Sequence, residues 1–102
     1  MRIPDEFKLF SQQWLVRTGT EKELPNELGM CFPDTNEVLL RTQGLPADTV
    51  IHTFLHELVH AIEQKLELDM TERQVDLMAL GIMDLFRSNP HMVELLLPVE
   101  TE

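Results

Sequence analysis

Apolar and polar positions change their period near the middle of the chain. In the N-terminal half the apolar runs are short and separated by turn residues. Gln13 to Thr18 is rich in strand formers and closed by Gly19, while Phe7 to Phe10 fits either a strand or a short helical turn. Thr20 to Glu27 is polar, contains Pro25 and reads as a loop. Met30-Cys31-Phe32 and Val38 to Arg41 flank Pro33-Asp34-Thr35-Asn36-Glu37, a cluster that favours a reversing turn and predicts a β-hairpin. Beyond Pro46 the period lengthens. Ile51, Leu55, Leu58, Ile62 and Leu66 recur at spacings of three and four and mark one face of a helix, with Asp48 or Thr49 as its cap. After a break near Leu68-Asp69-Met70, Thr71 and Gln74 form a capping-box pair. The second helix carries Val75, Met78, Ala79, Ile82 and Phe86 on one face and stops at Ser88-Asn89-Pro90. The expected architecture is α+β: a small antiparallel sheet followed by two long helices, in one domain spanning residues 1–102.

Composition narrows the possible roles. A chain of 102 residues with 43% hydrophobic content can bury one core, and a bound metal would add to a thin stability margin. Eight basic residues against eighteen acidic ones give a net charge of -10, which argues against nucleic-acid partners and anionic membranes. The single cysteine, Cys31, allows no internal disulfide. No apolar run has signal-peptide or membrane-spanning length, so a cytoplasmic location is expected and the oligomeric state is left open.

The first long helix carries His56-Glu57-Leu58-Val59-His60. Histidines at i and i+4 project from one face a turn apart, so both imidazoles can reach one tetrahedral ion, with zinc the expected metal. Glu57 projects beside that pair, where it can act as general base toward a metal-activated water. The same stretch also fits a solvated face bearing His52, His56, His60, Glu63 and Glu67. The next helix weighs against that reading. Glu72 and Asp76 stand one turn apart on the flank of its apolar stripe, where carboxylates need partners. If the helices pack antiparallel, Glu72 falls level with His60 and Asp76 with His56, an arrangement suited to a third ligand and an acceptor orienting an imidazole.

His56-Glu57-Leu58-Val59-His60 followed by Glu72-Arg73-Gln74-Val75-Asp76 resembles the gluzincin branch of HExxH metallopeptidases. The order of strand, hairpin and two helices is similar to the minimal single-lobe members and to small zincin-like proteins of phages and bacterial regulatory operons. The resemblance covers roughly residues 28 to 86. It implies Glu72 as third zinc ligand, Asp76 as the acceptor behind a ligand histidine, peptide or protein substrates, and Val38, Leu39 and Leu40 as the edge strand that pairs with an extended peptide. Glu72 reaches best if the first helix ends soon after His60; a helix running on to Glu67 would favour Asp76. The chain has no tyrosine to stabilise an oxyanion. His52, one turn before His56, and His91, after Pro90, are the candidates for that role or for lining the cleft, with a surface position the default expectation for both. Trp14 and Cys31 are expected in the core. The expected activity is zinc-dependent peptide hydrolysis; the alternative is a zincin-fold module that binds metal with little or no turnover.

Overall fold

The computed structural model describes residues 2–98. Its elements are β1 (Glu6–Leu9), β2 (Gln12–Thr18), β3 (Gly29–Phe32), β4 (Glu37–Leu40), α1 (Ala47–Lys65) and α2 (Glu72–Ser88), followed by a short 3-10 turn at Met92–Leu96. The architecture is α+β, as the periodicity predicts. The sheet, however, is mixed. Strand order is β1-β2-β4-β3, with antiparallel pairing at both ends and a parallel β2–β4 pair in the middle. The cause is segment 19–28, which carries the chain past the open side of β2 so that β3 is laid down outermost. β4 then returns antiparallel to β3 and so runs parallel to β2.

That topology corrects the expected substrate edge. Val38, Leu39 and Leu40 lie on an interior strand and are buried. Val38 and Leu40 face α1 in a core with Trp14, Phe54 and Ala61. Leu39 points to the opposite face, where Leu24 from segment 19–28 covers it; a Cβ on Gly19 would meet both leucines within 3.2 Å. The free edge beside the helices belongs to β3.

α1 is sandwiched between the sheet and α2, so it has two apolar faces rather than the one predicted. Phe54, Leu58 and Ala61 meet the sheet, whereas Leu55 and Val59 pack with Val75, Ala79 and Ile82 of α2. Ile62 and Leu66, counted on the predicted stripe, are exposed. Pro46 occupies the helix N-cap without a side-chain hydrogen bond, in place of Asp48 or Thr49. The helix ends in a reversal with Glu67 at φ 57°, where the Leu68 and Glu67 amides donate to the Glu63 and Gln64 carbonyls at 2.7 and 3.2 Å. Thr71 and Gln74 then form the predicted capping box. α2 runs back antiparallel to α1, and Arg87 near its end reaches Asp48 in the first turn of α1 at 2.9 Å. Among the described residues, no helix is long and apolar enough to cross a membrane.

Candidate metal centre

The antiparallel helix pair brings the predicted residues together. His56 and His60 stand one turn apart on α1, with ring centroids 4.9 Å apart and both side chains largely shielded. Across from them Glu72, the first residue of α2, places one carboxylate oxygen 3.1 Å from His56 Nε2 and the other 2.8 Å from His60 Nε2. α1 does not end soon after His60, yet the sharp reversal at Glu67 returns the chain so abruptly that Glu72 faces both rings. One donor atom from each of His56, His60 and Glu72 lies within 4.8 Å of the other two. Asp76 takes the other position: His56 Nδ1 donates to its Oδ1 at 3.1 Å.

The donor chemistry fits a cation. His56 has a carboxylate oxygen near each ring nitrogen, and a neutral imidazole can donate to only one of them. His60 is in the same position, with Glu72 at Nε2 and Glu63 Oε1 3.5 Å from Nδ1. A cation held by His56, His60 and Glu72 would relieve this crowding and leave His56 Nδ1 to donate to Asp76. Two imidazoles and one carboxylate form a donor set that could hold a metal ion.

Glu57 lies on the other flank, buried at 5% exposure. Burial pushes its carboxyl up to about 7 against the opposing pull of the two imidazoles, with Glu72 and Glu27 adding smaller upward contributions. Its side chain rests against the start of β3, where a Cβ on Gly29 would lie 3.1 Å from Glu57 Oε2. The cleft of about 630 Å³ has α1 as floor, β3 as one wall and the start of α2 as the other; Leu28, Met30, His52 and Thr53 line it beside the centre.

His52 does line this cleft. Its Nε2 is 3.1 Å from Asp76 Oδ1 but is not aligned for a hydrogen bond, so the contact is electrostatic. His91 does not belong to the site. It lies beyond the far end of α2, almost fully exposed, with Glu94 at 3.6 Å as its neighbour. No residue of the turn that follows lines the cleft. Trp14 is in the core and Cys31 packs against it, as expected, while Cys31 also forms part of the cleft wall. Burial, with the Glu57 and Glu63 charges nearby, pushes its thiol up to about 12, which makes it a poor metal ligand. Glu63 is a residue of the site's surroundings that sequence reasoning missed. It looks like a surface residue of α1, yet it is buried beside His60.

No protein-family model, curated protein or solved structure matches this chain. The assignment of the centre therefore rests on its own geometry.

Proposed function

We propose that this protein is a zinc-dependent metallopeptidase, with His56, His60 and Glu72 as metal ligands and Glu57 as general base. The observation that carries the reading is the position of Glu57: a buried carboxyl near neutral proton affinity, on the flank of a two-histidine, one-carboxylate cluster that opens into a cleft. Zinc held there would supply Lewis-acid activation of water and of the scissile carbonyl. The chain's own groups do the rest. Glu57 takes a proton from the attacking water as the new C–O bond forms, then delivers it to the amide nitrogen as the C–N bond breaks. Asp76 fixes His56 with its Nε2 toward the ligand position. The free edge of β3 can pair with an extended peptide laid across the cleft, the role that the family resemblance implied for Val38 to Leu40.

A binding module with little turnover is the competing reading, favoured by the absence of tyrosine and by the distance of His91 from the cleft. One experiment separates the two. Natively purified protein should hold about one equivalent of zinc and cleave members of a random peptide library, with cleavage abolished in Glu57→Gln at unchanged zinc content. Zinc binding without cleavage would favour the module. Equal metal content in wild type, His56→Ala and His60→Ala would end both readings.

A further inference from the structure

Glu63 is one of two buried charged residues among those described, and unlike Glu57 it does not line the cleft. Among the described residues, no lysine or arginine lies within ion-pair distance of it. A buried carboxylate without such a partner is costly unless hydrogen-bond donors are aimed at it. Two polar groups approach it. His60 Nδ1, buried and making no hydrogen bond, lies 3.5 Å from Glu63 Oε1 in an electrostatic contact. The Met70 amide approaches Oε2 at 3.5 Å from the segment leading into α2. The Glu63 backbone carbonyl meanwhile accepts from Leu68 at 2.7 Å and closes the helix reversal.

Glu63 thus touches one candidate ligand on α1 and the strand of chain that delivers the other ligand from α2. We propose that Glu63 is a positioning residue that holds His60 as the Nδ1–H tautomer, with Nε2 turned toward Glu72, and ties this ring to the turn that presents Glu72. The proposal rests on the zinc reading for its purpose, but the grip on His60 is a property of the chain alone. On α1 the two imidazoles then have separate supports, Asp76 for His56 and Glu63 for His60. A neutral imidazole has one proton to place, and the carboxylate behind Nδ1 biases where it goes.

The test uses Glu63→Leu, similar in size and free of any acceptor, and Glu63→Gln, which keeps an acceptor without charge. In metal-stripped protein, above the titration range of histidine, nitrogen-15 NMR reads the tautomer ratio of His60. Glu63→Leu should shift it toward Nε2–H, with Glu63→Gln in between. Zinc affinity, measured by chelator competition on folded protein, should fall by about 10- to 100-fold in Glu63→Leu and recover most of the loss in Glu63→Gln. In a His60→Ala background Glu63→Leu should add no further loss. An unchanged tautomer ratio in either folded variant overturns the proposal, even if zinc binds. A shifted ratio in a protein that binds no zinc leaves Glu63 holding His60 and instead overturns the metallopeptidase reading.

Discussion

Replacing Gly29 by alanine tests how closely the edge strand approaches the general base. The new methyl would sit 2.8 Å from Thr53 Cγ2, 3.1 Å from Glu57 Oε2 and 3.2 Å from Glu57 Cγ. Thr53 cannot turn aside freely: it is β-branched, in a helix, and its hydroxyl donates to the Thr49 carbonyl at 2.7 Å. Relief must come from separation of β3 and α1 or from rotation of Glu57. Overpacking of this kind costs about 1–3 kcal/mol, against roughly 0.4–1 kcal/mol gained because alanine restricts the unfolded chain. A net loss of about 1–2 kcal/mol is expected by urea unfolding. Metal affinity should barely change, since the added methyl meets none of His56, His60 or Glu72. Turnover should drop on the order of a hundredfold, because a shift near 1 Å in a reacting group has that effect. Gly81→Ala is the control. It lies on α2 with nothing within 4 Å of the added methyl and should gain up to about 1 kcal/mol. If Gly29→Ala is as stable as Gly81→Ala, the close approach of β3 to Glu57 does not exist.

Three further outcomes follow from the same geometry. In metal-free protein, Glu57 rises from 4.5 to about 7 because its neutral form is favoured by burial, so its contribution is fully present below pH 4.5 and is lost as pH climbs through 7; wild type should lose about 3 kcal/mol relative to Glu57→Gln across that window, and parallel denaturation profiles would refute the shift. Asp76→Ala should weaken zinc by about 10- to 100-fold in chelator competition, with Glu72→Ala removing most affinity; the reverse order would exchange their roles. Glu67→Gly should raise stability by roughly 0.5–1 kcal/mol in thermal unfolding, since Glu67 occupies the left-handed position of the helix reversal that glycine adopts without strain.

The helical half of the molecule was legible because its signals are local. The i, i+4 spacing that sets His56 beside His60 also sets Glu72 beside Asp76, and the Thr71–Gln74 pair marks the start of α2 within a residue. The sheet was read less well because its decisive pairing is not local. Nothing in Val38 to Leu40 states that β2 lies on one side and β3 on the other, since an interior strand and a half-covered edge can share the same residues. β1 was ambiguous because its hairpin turns through Phe10 and Ser11, both at positive φ, without the Asn or Gly that usually announces such a turn. Glu63 was overlooked for a related reason. Its burial follows from where the chain goes after Glu67, a reversal taken by a residue that gives no sign of it.

That reversal also bears on the order in which the molecule assembles. All three candidate ligands belong to one helical hairpin whose link is only the segment 66–71, so bringing them together closes a short loop. The parallel pairing of β2 with β4 must instead close the excursion through segment 19–28 and β3. Loop-closure entropy grows with the logarithm of length, and local contacts form ahead of distant ones. The hairpin should therefore form first and the sheet condense onto it. Zinc present during refolding would then act on a structure already made at the rate-limiting step and speed folding, while the unfolding rate of the zinc-loaded protein would barely change.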